Sequence, residues 1–371
     1  MTHSPHLLVA LSGHGYGHLA QAAPVINALR QRLPALRLTV QCAIPERVLR
    51  PRIDGPLQPI AEAVDVGMVM ASAVDVLIDD TLAAYRVFHA DWEHRLARQE
   101  KLLASLTPDL VLADIPYLSL AAAARLGIPA VALCSLNWAD ILLGYCSEEP
   151  DSAALRELML TAYNSAAVFL QPAPSMPMTD LVNTRPIGPI AATGRDRRIE
   201  LNARLGLRHD EILGLIGLGG VDMRLPMEDW STMPGVRWLA PPEWQVRRAD
   251  TVSWGALTDL LFADLVHSCD VLLTKPGYGS FTEAVCNGTP VLYVERPDWP
   301  EEPWLTRWLE DNGNAVRITR RQLVTGELFS ALDRLLAQPR RPALAPTGIN
   351  DAAACLESCL SCGQTKNVYE N

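Results

Sequence analysis

Short unbroken apolar runs, each halted by a polar or glycine-rich turn, recur along the chain. "HLLVALSG" (6–13), "LRLTVQCAI" (36–44), "PDLVLADIP" (108–116) and "IPAVALCSL" (128–136) have this form in the first half. "EILGLIGLGG" (211–220), "VRWLAPP" (236–242), "DVLLTKPGYGS" (270–280) and "PVLYVE" (290–295) have it in the second. Runs this short and apolar on both alternating faces predict strands of a parallel sheet with helices on either side. Helical spacing fills the gaps. Ala22, Val25, Ile26 and Leu29 share one face of a helix over 18–32, and "DWEHRLARQEKLLASL" (91–106), "LSLAAAARLG" (118–127), "ALTDLLFADLVHSC" (256–269), "FTEAVCNG" (281–288) and "PWLTRWLEDNG" (303–313) read as further helices. Strand–helix alternation of this kind predicts an α/β, doubly wound architecture.

At 371 residues the chain exceeds what one hydrophobic core usually serves, so two domains are expected. The Pro-, Gly- and Thr-rich stretch "PAPSMPMTDLVNTRPIGPIAATGRD" separates two runs of the pattern. The expected division is a first Rossmann-like domain over 1–175, a linker over 176–195, a second Rossmann-like domain over 196–345 and a terminal helix or tail over 346–371. Each half carries a glycine-rich turn at the carboxyl end of a strand, where open α/β sheets bind ligands, and the two are expected to face a cleft. A formal net charge of −10 argues against a broad nucleic-acid surface. The first five of the eight cysteines are scattered through apolar contexts, as expected of reduced thiols in a cytoplasmic protein. "MTHSPHLLVALSG" has neither the basic start nor the cleavage site of a signal peptide. The most apolar region is broken by Arg125, Pro129 and Asp140, so no spanning helix is expected, which leaves room for peripheral membrane contact.

Chemistry concentrates in two loops. In "TKPGYGSFTEAVCNG", Gly277 and Gly279 flank Tyr278 and let backbone N–H groups approach an anion, while Lys275 adds a positive charge at the strand end. Ser280 is placed to cap the following helix, whose N-terminus favours phosphate. Glu283, three residues on, is placed to accept ribose hydroxyls, and the same Ser280–Glu283 spacing also fits a plain capping box. In the first loop, "SGHGYGHLAQAAP", Gly13, Gly15 and Gly17 are interleaved with His14 and His18. A dinucleotide fingerprint would have its third glycine where His18 stands. An imidazole there can take the proton of an attacking hydroxyl; His14 competes for the role, and helix capping or packing is the plainer reading of His18.

These residues resemble the GT-B glycosyltransferases of the nucleotide-sugar-dependent, metal-independent kind. "KPGYGSFTEAVCNGTPVLYV" is similar to the donor-binding segment of the MurG-like and UDP-glycosyltransferase families. The resemblance implies that Glu283 binds the ribose, that Lys275 stands where the plant enzymes keep a phosphate-binding histidine, and that Gly219 and Gly220 form the glycine-rich loop opening the second domain. "PDWPEEPWLTRWLEDNGNA" resembles the stretch whose acidic residue and Gln contact the donor sugar, here Glu301 and Glu302, the latter a departure from Gln. His18 falls on the families' loop histidine, their general base, and Asp114 on the aspartate that holds it. "SGHGYGH", "ADIPYLSLAAAARLGIP" and "SLNW" also look like the glycosyltransferase-like N-terminal part of plant arabinokinases, and no kinase half is expected here.

The resemblance implies an inverting transferase that uses a nucleoside diphosphate sugar, UDP-linked by family frequency, as co-substrate with no resident cofactor and no metal. Its acceptor would be a small molecule, lipid or glycan; oligomeric state stays open. A nucleotide-sugar epimerase or hydrolase and a non-catalytic nucleotide-sugar sensor are the rivals. An NAD dehydrogenase is disfavoured, because the second strand offers Gln41 and Cys42 where an acidic residue is needed. Cys355, Cys359 and Cys362 have the C-x3-C-x2-C spacing of some iron–sulfur sites, but read here as three thiols on a terminal helix. Trp138, Trp244, Trp254, Trp299 and Trp304 are candidates for lying near a sugar site, Trp299 and Trp304 for stacking on it, or for packing.

Overall fold

The computed structural model describes residues 4–72, 75–219 and 223–366, the last five of them without side chains. The chain forms two compact units, Met1–Ile190 with Thr347–Asn371, and Ala191–Pro346. The first holds seven strands: β1 (His6–Leu11), β2 (Arg37–Cys42), β3 (Gln58–Ala61), β4 (Leu110–Asp114), β5 (Ala130–Leu133), β6 (Val168–Pro172) and β7 (Thr184–Ile187). Their order is β3-β2-β1-β4-β5-β6-β7, and every pairing is parallel. The second holds β8 (Ile212–Gly217), β9 (Val236–Ala240), β10 (Thr251–Ser253), β11 (Val271–Thr274), β12 (Val291–Val294) and β13 (Ala315–Ile318). Their order is β10-β9-β8-β11-β12-β13, again all parallel.

The unbroken apolar runs have their cause here. All six residues of β1 and all five of β4 are buried, because helices cover both faces of the sheet. Each fully buried Leu or Val contributes about 1.5–3 kcal/mol relative to exposure. In the second unit Trp238, Val271, Leu273, Leu292 and Val294 join Trp230 and Leu332 in one core.

Three local expectations are revised. The stretch read as linker contains β7, which closes the first sheet as an edge strand. The terminal helix Gly348–Lys366 belongs to the first unit, where Glu357 accepts a 3.2 Å hydrogen bond from Arg32 at the end of helix Gly17–Arg32. The helix expected over 256–269 is confined to Phe262–Ser268, where Asp264 caps back onto the Leu261 N–H. The cysteine run lies on the terminal helix, and the Cys362 side chain is outside the described residues. Among the described residues no helix is long and apolar enough to cross a membrane.

Candidate active site

In each sheet the chain first winds to one side of its opening strand and then crosses to the other. The crossing leaves a crevice beyond the carboxyl ends of β1 and β4 in the first unit, and of β8 and β11 in the second. Leu11 and Asp114 are ladder partners at the first crevice, Gly217 and Thr274 at the second. His14, His18 and Asp114 lie about the first opening and Gly219 and Lys275 about the second, while Gly220 lies outside the described residues.

At the first crevice the Ser12 N–H donates to the Asp114 carbonyl at 2.8 Å, so the loop leaves β1 alongside the end of β4. Gly13, Gly15 and Gly17 carry it over the sheet edge; Gly15 takes φ +71, a left-handed conformation that glycine adopts at no steric cost. Helix Gly17–Arg32 then presents His18, Gln21, Ala22 and Val25 on its buried face. That spacing turns His18 inward, where its Nδ1 lies 2.8 Å from Asp114 Oδ1. Nδ1–H donates to the carboxylate, which leaves Nε2 as the basic nitrogen. Gln21 braces the same face, its amide oxygen accepting from the Ser135 N–H at 3.2 Å. Asp114 is fully buried, and burial pushes its carboxyl above the usual range while the facing imidazole pulls it back.

His14 is held differently. Its Nδ1 accepts from the Met68 N–H at 3.4 Å, and its ring stands edge-on to Trp138 at 5.2 Å. Gly67, at φ +66, lies so close that any Cβ there would come within 3.0 Å of His14 Cβ. Trp138 also tilts against His18 at 5.6 Å. The Cys134 thiol lies 3.6 Å from His18 Nδ1. His18, Asp114 and Cys134 bring nitrogen, oxygen and sulfur within 4.8 Å of one another.

At the second crevice Gly219, at φ +86, leaves an opening beside Lys275; a Cβ there would sit 3.6 Å from Lys275 Cε. Lys275 follows β11, and burial, with Arg296 adding to it, lowers its ammonium to about 8. Helix Tyr278–Asn287 begins directly after Gly277, with no acidic residue in its first turn. The partial positive charge of its N-terminus is therefore not offset by an acid of its own first turn. Ser280 is not the cap: Gly277 occupies that position, and Ser280 is the third residue of the helix. Gly279 and Ser280 line the first turn, and Glu283 stands on the second, so the capping box is not formed.

Glu301 and Glu302 are both buried. Glu301 Oε2 accepts from Trp299 Nε1 at 3.1 Å, and Glu302 Oε1 accepts from the Arg296 N–H at 3.0 Å. The Arg296 guanidinium stacks on Trp299 at 4.2 Å. Burial pushes the Glu302 carboxyl up. Reading the sequence missed Arg296, which follows β12 and brings a second cation toward Lys275, and Asp65, whose Oδ2 accepts from Trp138 Nε1 at 2.9 Å beside the first crevice. The "YVERPDW" charge inside an apolar strand exit was the available signal for Arg296.

No family model matches the chain. The glycosyltransferase of kitacinnamycin superposes with a TM-score of 0.63 over 97% of this chain and 96% of its own, at 17% identity. CalG4, the calicheamicin glycosyltransferase, gives 0.60 over 98% and 95%, at 16% identity. The chain has the GT-B fold. The UDP-N-acetylglucosamine 2-epimerase of Listeria monocytogenes, described as putative, shares it with a TM-score of 0.52 over 96% of both chains, at 12% identity. An L-arabinokinase of Arabidopsis thaliana is 25% identical over 343 residues, 90% of this chain. This chain spans about a third of that protein's length, 32%.

Proposed function

We propose that the chain is a metal-independent, inverting glycosyltransferase that moves a sugar from a nucleoside diphosphate sugar to an acceptor hydroxyl. The observation that carries this reading is the buried His18–Asp114 hydrogen bond at the first crevice. A hydroxyl is a poor nucleophile at neutral pH, and His18 Nε2 takes its proton as the oxygen attacks the anomeric carbon. Asp114 fixes the ring's tautomer and stabilises the imidazolium that forms. The bond to the diphosphate oxygen breaks, and the leaving diphosphate is held by Lys275, Arg296, the Gly219 and Gly277–Gly279 backbone and the helix N-terminus, which together do the work of a metal ion. Glu283 is the residue we assign to the ribose. Glu301 and Glu302 act through what they hold, the Trp299 indole and the Arg296 backbone.

UDP is the nucleotide we favour, and the acceptor is a small molecule, lipid or glycan. Thermal-shift screening against nucleoside diphosphates and UDP-sugars tests the donor half, since a ligand at a hundred times its Kd adds about 2.7 kcal/mol of stability. An acceptor screen read by nucleoside diphosphate release then tests transfer, with EDTA expected to leave it unchanged. An α-linked donor should give a β-linked product by NMR; an α-linked product overturns inversion. The epimerase that shares the fold supports a second reading, nucleotide-sugar epimerisation, which would convert a UDP-sugar with no acceptor present.

A further inference from the structure

Asp65 lies on the segment after β3 and is drawn into the first crevice. Its carboxylate accepts from the Trp138 indole at 2.9 Å and also meets the Ser12 hydroxyl and the Gly13 N–H. Those donors come from the first helical residue after Asn137 and from the first two residues of the histidine loop. One carboxylate therefore ties the start of that loop to the tryptophan that packs on both His14 and His18.

Asp65 is also electrically part of the dyad. Its charge and that of His18 attract, and its charge and that of Asp114 repel. The other titratable groups around this enclosure are His14 in the loop, the Cys134 thiol beyond β5, and the buried phenols of Tyr85, Tyr117 and Tyr163, all three of which feel the Asp65 charge. The phenols are held neutral by burial, so two carboxylates face one imidazole. Burial drives both carboxyls upward, and each gains from a proton on His18.

We propose that Asp65 is a positioning residue of the catalytic pair, anchoring the Ser12–Gly13 turn and adding its negative charge to that of Asp114 in holding the proton that His18 accepts. This rests on the reading of His18 as the base, but its test does not need turnover. The ring of His18 is followed by NMR of histidine-labelled protein across pH, its signal assigned by loss in His18→Gln. Removing a nearby negative charge lowers an imidazole pKa, so Asp65→Asn should lower that of His18 by roughly half a unit or more, and Asp65→Glu should restore most of it. Should Asp65→Asn fail to fold, Trp138→Phe removes one hydrogen-bond donor that favours the charged form of Asp65 and should move His18 the same way by less. An unchanged or raised His18 pKa in the variants that fold overturns the proposal. Full turnover in His18→Ala would instead overturn the catalytic reading while leaving this titration result standing.

Discussion

At the β1–β4 crevice two carboxylates face an imidazole; at the β8–β11 crevice a lysine and a stacked arginine lie beside glycine backbone, with the buried Glu301 and Glu302 alongside. Both openings arise from the same change of winding direction in a parallel sheet. Both are followed by a glycine-rich turn and a helix whose first turn carries no acid. The topology supplies a place, and the side chains decide what is done there. In the first unit the side chain nearest the helix start is turned inward to a buried acid, and the site can exchange a proton. In the second the positive charges are gathered around an uncapped helix start, and the site can hold an anion. Under the proposed function, one crevice takes the attacking hydroxyl and the other the departing diphosphate.

The sharpest way to break this contrast is to remove the base. His18→Ala should cut turnover by about 10²–10⁴-fold, measured by nucleoside diphosphate release, while the nucleotide Kd stays within about twofold. Asp114→Asn should fall in the same range, because the ring then loses its fixed tautomer. On the other side, Lys275→Met should raise the nucleoside diphosphate Kd by about tenfold or more, by calorimetry, since charged hydrogen bonds contribute roughly 1.5–3 kcal/mol. A histidine variant that lost nucleotide binding, or a lysine variant that kept it, would mean that the two crevices do not divide the labour.

The second crevice should also show its own pH dependence. Lys275 is lowered to about 8 by burial and by Arg296, so the empty site loses its ammonium as pH rises through about 8. Affinity for a diphosphate should therefore fall between about pH 8 and 9, and Lys275→Arg, which stays charged, should remove most of that fall. The smallest effect sharpens the first crevice. Gly67→Ala forces a side chain into a left-handed conformation against His14 and should cost about 1–3 kcal/mol, read as a lower Tm, with nucleotide affinity unchanged.

How much of this was legible follows from burial. Strands β1, β4, β5 and β11 sit inside their sheets, so every position is buried and all but the terminal His6, Asp114 and Thr274 are apolar, and the runs announce themselves. Strands β3, β7 and β10 lie at sheet edges, are short and carry polar or exposed residues such as Gln58, Arg185 and Ser253, and nothing in their pattern separates them from loop. The His18–Asp114 contact joins residues 96 positions apart, and it was reachable only because both loops resemble a known family. Asp65 and Arg296 had no such guide. Their positions depend on how the segment after β3 returns to the sheet and on where β12 ends, which local pattern does not encode. Ser280 shows the opposite failure: spacing alone suggested a cap, but the backbone starts the helix three residues sooner, directly after Gly277.

The most direct test compares wild type and His18→Ala at saturating UDP-sugar, identified by thermal shift, across a panel of sugar, phenol and lipid hydroxyl acceptors. We expect acceptor-dependent UDP release by the wild type, and a loss of about 10²-fold or more in the variant at unchanged donor affinity. Equal rates in the two proteins would contradict the assignment of the first crevice as the proton-accepting half of a transferase.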